Sequence, residues 1–252
     1  MNDEEYYNFV RPYADAMQML LTRLDVLNHN LYGKSDSRPI HYIQNRIKKK
    51  KSIEGKLERL KLKDSVMNAK DRLMDIAGIR VICYFPEEIY DVVDCLKRQT
   101  DMIVIKEKDY IKNPKPNGYK SYHMVVTIPI YLSDGPVDTK VEIQIRTIAM
   151  DFWASLEHKI YYKFEGNAPD YLEQELKACA DMADMLDNKM FSLNQAITKI
   201  AEEQAKEKEA AKVAEKMKKA EREDVPAGNE QEPKDGKRSG EAASGNRKEA
   251  GE

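Results

Sequence analysis

Residues 141–146 alternate strictly between apolar and polar side chains, which predicts a β-strand with two different faces. The apolar positions share one face and are Val141, Ile143 and Ile145. The polar positions share the other face and are Glu142, Gln144 and Arg146. A chain with this strand must form a sheet that buries one side. The polar side is either a solvent-facing surface, which is common in antiparallel sheets, or the floor of a site.

The patterns around this strand predict an α+β fold, with a mixed sheet and helices on one face. Apolar residues spaced three and four apart predict helices over 5–31, 64–73 and 86–99, and two more that begin near Ala149 and Pro169. Buried or alternating apolar runs predict strands over 79–85, 102–105 and 121–130, and a short strand or turn over 40–47. One hydrophobic ridge is expected to contain Phe152, Trp153, Leu156 and Ile160.

Composition changes sharply near residue 200. No Phe, Trp, Tyr or Ile follows Ile200, so the chain beyond it has little with which to build a core. Residues 1–200 are therefore predicted to form a single domain that includes its terminal helices. Residues 201–252 are predicted to be a charged helical extension to about residue 223, followed by a disordered tail.

Charge and cysteine usage narrow the class of protein. A net charge of −2 argues against a protein that coats DNA, which needs a strong basic excess. Cys83, Cys95 and Cys179 form no CxxC pair, so they are interpreted as buried thiols in a reducing compartment. The amino terminus is acidic and no apolar run is long enough to span a bilayer, so we expect a cytoplasmic protein without a membrane partner.

The segment over 46–63 contains a predicted helix with a concentrated basic face. Its apolar stripe consists of Ile53, Leu57 and Leu60, and another face carries Lys49, Lys56, Arg59 and Lys63. Any single lysine of this kind is more often solvated than functional. The cluster as a whole can hold a polyphosphate, because hydrogen bonds from charged donors are stronger than neutral ones.

Residues 109–123, DYIKNPKPNGYKSYH, predict a stiff loop that leads into a strand. Pro114 and Pro116 fix the backbone, and Asn117-Gly118 suits a turn with positive φ. The turn places Tyr119 at the start of the strand, where an aromatic face among cations suits a base that carries phosphates. A surface hairpin with solvated lysines is the alternative.

Two acids on predicted strands suggest phosphoryl or nucleotidyl transfer. Asp75 stands at the entrance of the strand over 79–85, and Glu142 lies on the alternating strand. Two carboxylates among cations can share Mg²⁺, and one of them can also take a proton from an attacking hydroxyl. The sequence has no P-loop, Rossmann glycine pattern, zinc spacing or nucleophile elbow, so those sites are excluded.

Four ordered motifs carry a resemblance to a known family. They are DIAGIRVICYF at 75–85, DYIKNPKPNGYKSYH at 109–123, VEIQIRT at 141–147 and FWASLEHKIYYK at 152–163. Together they resemble the synthetase domain of the RelA/SpoT homologue family, and most of all its small alarmone synthetases of the RelQ type. The resemblance implies a mixed-sheet fold related to the DNA polymerase β nucleotidyltransferases. It also implies a GTP pyrophosphokinase, which transfers pyrophosphate from ATP to the 3′-hydroxyl of GTP or GDP and makes (p)ppGpp and AMP for stress signalling.

The resemblance also implies a role for individual residues. Asp75 and Glu142 would be the catalytic and Mg²⁺-binding acids, with Glu142 as the base. The ATP-binding residues would be Arg46 and Arg80 around adenine, and Lys48, Lys56 and Arg59 on the phosphates. Tyr119 would stack on guanine. The remaining residues of the guanosine side would be Lys108, Lys115, Lys120, His123 and Gln144.

The resemblance further implies a homotetramer without a hydrolase domain, and some relatives of the RelQ type bind single-stranded RNA. Two alternatives to the synthetase stay open. One is a single-stranded RNA-binding module that uses the same basic and aromatic cleft. The other is a nucleotidyltransferase that moves a nucleoside monophosphate, although the Gly-Ser signature of those enzymes is missing.

Overall fold

A mixed sheet of five strands organises the first of two compact units, Met1–Thr198. The structure is a computed structural model and describes residues 1–32, 38–161 and 169–223. The strands are β1 (Ile40–Ile47), β2 (Ala77–Cys83), β3 (Ile103–Asp109), β4 (Tyr122–Leu132) and β5 (Gly135–Thr147). The helices are α1 (Asp3–Tyr32), α2 (Lys50–Arg59), α3 (Val66–Arg72), α4 (Pro86–Lys97), α5 (Ile148–Tyr161) and α6 (Asp170–Glu223).

The strand order is β1-β2-β5-β4-β3, which places β5 at the centre. β5 pairs in parallel with β2 and antiparallel with β4, while β1 and β3 pair antiparallel at the two edges. The predicted mixed sheet is therefore confirmed. β3 is longer than the predicted strand over 102–105, because its pairing with β4 continues as far as Asp109 opposite Tyr122.

One face of the sheet is covered by the main hydrophobic core. The alternating apolar residues of β5, headed by Ile143, are fully buried there together with Leu20 and Leu24 of α1. The four apolar residues predicted to face inward from the helix over 86–99 are buried on α4 and are Ile89, Val92, Val93 and Leu96. The opposite face of β5 carries its polar side chains, since neighbouring residues of a strand point to opposite sides.

α5 departs from the predicted hydrophobic ridge where it packs against α6. Trp153 is 5% exposed and packs with Leu176 and Ala180 of α6 in a second, smaller cluster. Phe152 is 64% exposed, so the predicted ridge is divided between two faces of α5. Beyond Ala180, most large apolar residues of α6 in this unit are exposed and include Met185, Met190, Leu193 and Ile197. Phe191 is half-buried, and its ring lies 5.7 Å from that of Phe85.

The second compact unit is Lys199–Glu252. Its helical part is the remainder of α6, and the side chains over 199–217 are exposed, as the lack of apolar residues predicts. The predicted disordered tail from Asp224 onward lies outside the described residues. Within the ranges that the structure describes, no helix combines the length and apolar character needed to cross a membrane.

Candidate active site

The register of the sheet lines up functional side chains in two rows across its polar face. The first row passes through all five strands in spatial order and contains Gln44, Arg80, Gln144, His123 and Lys108. The second row contains Arg46, Gly78, Glu142, Val125 and Lys106. Side chains at paired positions of neighbouring strands lie on the same face and within reach of one another. Six of the residues expected from the resemblance are brought together in this way.

Two clefts share the acids of this face. The first, about 620 Å³, is lined by Arg46, Arg80, Gln144 and residues beside them. The second, about 810 Å³, has a more basic and aromatic lining that includes Lys56, Lys106, Lys108, Tyr110 and His123. Asp75 and Glu142 line both clefts. Groups bound in the two clefts would therefore approach each other at these two carboxylates.

Asp75 is held between two lysines. Lys48 Nζ lies 2.7 Å from its Oδ2, and Lys56 Nζ lies 2.8 Å from its Oδ1. Burial acts to raise the pKa of Asp75, but the hydrogen bonds and charges of Lys48 and Lys56 outweigh it and leave the pKa below its usual value. Oδ1 is buried and makes no hydrogen bond of good geometry, despite its short distance to Lys56. This oxygen is available for an additional ligand.

Glu142 lies between Gln144 and His123. Gln144 Nε2 donates a hydrogen bond of 3.0 Å to Oε2 of Glu142, and His123 Nδ1 lies 3.9 Å from Oε1. Burial, together with the charges of nearby arginine and lysine side chains, lowers the pKa of His123 to about 3. The imidazole is therefore neutral near physiological pH, and its contact with Glu142 is not an ion pair.

Tyr119 is surrounded by cations, as its position in the loop predicts. Lys115 Nζ lies 4.6 Å from the centre of its ring, a distance suited to a cation–π contact. The hydroxyl accepts a hydrogen bond of 2.5 Å from Nη2 of Arg146 and lies 2.7 Å from Nε2 of His123. The loop therefore fixes the ring at its hydroxyl end.

Five expected binding residues line neither cleft, and they are Lys48, Arg59, Lys115, Tyr119 and Lys120. Lys120 forms an ion pair of 2.5 Å with Asp184 of α6, and it lines neither of the two clefts. Arg59 is exposed, and its Nε donates to the backbone oxygen of Gly55 one turn earlier in α2. The contacts of all the candidate residues with a nucleotide stay predictions.

Four residues of the site are not among the candidates that the sequence predicts. Lys106, Arg72 and Tyr110 line the second cleft. Arg146 is only 4% exposed and holds both Tyr119 and Gln144. The alternation over 141–146 did place Arg146 on the polar face. By contrast, no sequence signal pairs Lys106 with the row of Glu142, because that requires the register of β3, β4 and β5.

The chemistry of the shared acids fits a divalent cation such as Mg²⁺. Asp75 offers a buried oxygen without a hydrogen bond, and Glu142 lines the same two clefts. Among the described residues, no group of three or more acidic, histidine or cysteine side chains is placed to hold a metal. A cation here would take its remaining ligands from water and substrate phosphates, which is how Mg²⁺ is commonly held in phosphoryl-transfer sites.

Comparison with known proteins identifies the family. The family described as "Region found in RelA / SpoT proteins" matches residues 45–167, a range that contains every candidate site residue. The GTP pyrophosphokinase YwaC of Bacillus subtilis is 41% identical over 194 residues, which cover 77% of this chain and 92% of that protein. The chain belongs to the RelA/SpoT family.

Other members of the RelA/SpoT family extend the similarity to three dimensions. The GTP pyrophosphokinase YjbM of Bacillus subtilis is 35% identical over 193 residues, covering 77% of this chain and 90% of that protein. The crystal structure of small alarmone synthetase 1 from Bacillus subtilis bound to its product pppGpp matches with a TM-score of 0.70 and 34% identity, covering 77% of this chain and 98% of that one. Small alarmone synthetase 2 of the same organism matches with a TM-score of 0.69 and 42% identity, covering 76% and 99%.

Proposed function

We propose that this RelA/SpoT family member is a GTP pyrophosphokinase that transfers pyrophosphate from ATP to the 3′-hydroxyl of GTP or GDP. The products are AMP and (p)ppGpp. The observation that carries this proposal is the sharing of Asp75 and Glu142 by two clefts of different lining. A transfer between two nucleotides needs two binding sites that meet at the reacting atoms. The names of the relatives agree with this reaction, since YwaC and YjbM are GTP pyrophosphokinases.

The first cleft would take ATP. The planar guanidinium groups of Arg46 and Arg80 would lie on the two faces of adenine, a role that suits arginine better than lysine. Lys48 and Lys56 flank Asp75, where they can neutralise the triphosphate. Arg59 lies on the same helix as Lys56, one turn further on, and would reach the outer phosphates. A structure of small alarmone synthetase 1 bound to the ATP analogue AMPCPP shows that a relative of this fold binds such a nucleotide.

The second cleft would take GTP or GDP. Tyr119 would stack on guanine, and the nearby cations would bind phosphates or the transferred group; they are Lys108, Lys115 and Lys120. His123 and Gln144 flank Glu142 and would keep its carboxylate directed at the 3′-hydroxyl. A neutral His123 adds no positive charge beside Glu142.

Glu142 would act as the general base. It takes the proton of the 3′-hydroxyl while that oxygen forms a bond to the β-phosphorus of ATP. The bond between the β-phosphorus and the oxygen bridging to the α-phosphorus breaks, and AMP leaves with that oxygen. Lys48 and Lys56 stabilise the negative charge that develops on the phosphates. Bound Mg²⁺ would supply further charge neutralisation from Asp75 and Glu142.

Several finer features belong to the same proposal. Mg²⁺ dependence is supported by Oδ1 of Asp75, a buried oxygen that contacts Lys56 but makes no hydrogen bond of good geometry. Assembly into a homotetramer is supported by exposed apolar side chains on α5 and α6, including Phe152 and Met185. Cytoplasmic localisation is supported by three free cysteines, although the prediction that all are buried is wrong, since only Cys83 is buried and Cys179 is exposed. Single-stranded RNA binding is the alternative use of the cleft, and neither the relatives described above nor the contacts of the described residues favour it.

The test is product analysis by anion exchange after incubation with ATP, Mg²⁺ and either GTP or GDP. We expect AMP and a guanosine penta- or tetraphosphate in equal amounts. Because a general base contributes a factor of roughly 10²–10⁴, Glu142→Gln should lose at least that much of the turnover. The matched control is Glu87→Gln on α4, an exposed acid that lines neither cleft.

Three outcomes would contradict the proposal. Pyrophosphate in place of AMP would indicate transfer of a nucleoside monophosphate. The absence of AMP, together with equal RNA affinity of the native protein and Glu142→Gln, would make the cleft an RNA-binding platform. Full turnover by Glu142→Gln would remove this residue from the role of base.

A further inference from the structure

A buried carboxylate on α5, that of Asp151, contacts two arginines of the central strands β2 and β5. Asp151 Oδ1 lies 3.1 Å from Nη1 of Arg80 and 3.0 Å from Nη1 of Arg146. Its Oδ2 accepts a hydrogen bond of 3.0 Å from the hydroxyl of Tyr42 on β1. Asp151 is 6% exposed, so these three groups rather than water satisfy its charge.

The two arginines contact different residues of the candidate site. Arg80 lines the first cleft, and its Nη1 lies within hydrogen-bond distance, 3.4 Å, of Oε1 of Gln44. Arg146 lines neither cleft, but its Nη2 donates to the hydroxyl of Tyr119, the proposed guanine-stacking residue, and, at 2.9 Å, to Oε1 of Gln144. Gln144 in turn donates to Glu142, so the chain of contacts that begins at Asp151 ends at the proposed base.

Charge balance makes Asp151 necessary for this arrangement. The two guanidinium groups lie on neighbouring strands, since Gln144 is opposite Arg80 in the register of β2 with β5 and Arg146 is two residues further on. Burial lowers the pKa of Arg80, and the charge of Arg146 lowers it further, while Asp151 acts in the opposite direction. Without the carboxylate, two partly desolvated cations would repel each other across a short distance.

We propose that Asp151 is a positioning residue for both substrates, which holds Arg80 ready for ATP and, through Arg146, holds Tyr119 ready for the guanosine nucleotide. The inference rests on the proposed function, because it takes Arg80 and Tyr119 as the ligands of the two bases. It assigns a role in the reaction to α5, a helix that supplies none of the candidate binding residues named above. One side chain thereby aligns groups in two binding sites.

The test is steady-state kinetics of Asp151→Asn, with KM measured separately for ATP and for GDP. The amide keeps the shape and one acceptor oxygen but removes the charge that balances two arginines. We expect kcat/KM to fall about 10- to 100-fold for each substrate, the range found when a group that orients a ligand is lost, with KM raised for both. A variant that was only less well folded would lose active enzyme and so lower kcat, leaving both KM values unchanged.

The matched control is Asp101→Asn. Asp101 also pairs with an arginine, because Nη1 and Nη2 of Arg23 donate bidentate hydrogen bonds of 2.8 and 2.5 Å to its two carboxylate oxygens. Neither residue lines a cleft. The thermal stability of this variant should change while both KM values stay at those of the native protein. Tyr42→Phe is a milder second variant, since it removes one hydrogen bond to Asp151 and leaves every charge in place. We expect a smaller rise of both KM values.

The outcomes separate this inference from the proposed function. If the native protein makes no AMP, the proposed function fails. If the native protein is active and Asp151→Asn raises the KM of one substrate alone, or of neither, the inference fails and the function stands. If Asp151→Asn does not fold, the decision passes to Tyr42→Phe, and unchanged KM values in that variant would overturn the inference.

Discussion

Glu88 lies in the first turn of α4, where its carboxylate is partly buried by the packing of that helix on the sheet. Its Oε2 accepts hydrogen bonds of 2.9 Å from the backbone nitrogens of Tyr84 and Phe85. Burial raises the pKa of Glu88 from 4.5 to about 7, and the two backbone hydrogen bonds only partly oppose that rise. Between these two pH values, the carboxyl group of Glu88 is therefore protonated in the folded protein and ionised in the unfolded chain.

This difference predicts how stability changes with pH. Between pH 4.5 and about 7 the folded state binds more protons at Glu88 than the unfolded state, so stability falls as the pH rises through this window. Glu88→Gln has no such proton and keeps an oxygen acceptor for the backbone. Relative to that of the native protein, the free energy of unfolding of the variant should rise on the order of 1–3 kcal/mol between about pH 5 and about pH 8. Urea unfolding at the two pH values measures this, and an equal difference at both would contradict it.

Two glycines, one in the loop over 109–123 and one in α2, give opposite predictions for the same substitution. Gly118 has φ +87°, and a Cβ atom added there would lie 2.5 Å from the Cβ of Ala180 on α6. Gly55 lies in the middle of α2, and a Cβ atom added there meets nothing within 4 Å. The loop thus requires glycine both for its turn and for close packing on α6, whereas the helix requires it for neither.

Gly118→Ala should lower the free energy of unfolding by about 1–3 kcal/mol and weaken binding of the guanosine nucleotide, because the turn carries Tyr119. Gly55→Ala should raise the free energy of unfolding by about 0.5–1 kcal/mol, as alanine does in a helix interior. Thermal unfolding of both variants measures the two changes in stability, and the KM for GDP measures the weakened binding by Gly118→Ala. Equal stability of the two variants would show that the turn tolerates a side chain.

Local patterns predicted most of the elements, since the helix over 5–31 is α1 and the strict alternation of β5 placed Glu142, Gln144 and Arg146 on one polar face. These patterns depend on neighbours in sequence. Asp151 could not be assigned in this way, because its partners Arg80 and Arg146 are brought to it by the order β1-β2-β5. The exposure of Phe152 could not be predicted either, since α5 packs Trp153 inward by contact with α6.

The first compact unit ends at Thr198 and contains both clefts. It also contains the packing of α6 on α5 and on the loop over 109–123. A chain ending at Thr198 should therefore unfold at the temperature of the full chain and retain its turnover. A chain ending at Pro169 loses the hydrogen bond of 2.8 Å from Trp153 to Leu176 and the ion pair of Lys120 with Asp184. It should lose about 3 kcal/mol or more of stability, given the apolar surface it also exposes.

Calorimetry and AMP production by the two shortened chains would check this pair. Reduced turnover of the chain ending at Thr198 would assign a catalytic contribution to the second unit. If the chain ending at Pro169 were as stable as the full chain, α6 would be dispensable for the fold of the first compact unit.

The parallel pairing of β2 with β5 has a consequence for how the protein is made. Asp75 stands just before β2 and Glu142 lies on β5, and the chain between the two strands includes α4, β3 and β4. The partners in this pairing are distant in sequence, so the loop between them must close before their contacts can form. On a ribosome, the acids cannot meet until Thr147 has left the exit tunnel. A nascent chain consequently has no working cleft, and nucleotide binding can stabilise the sheet only after its central strand has been synthesised.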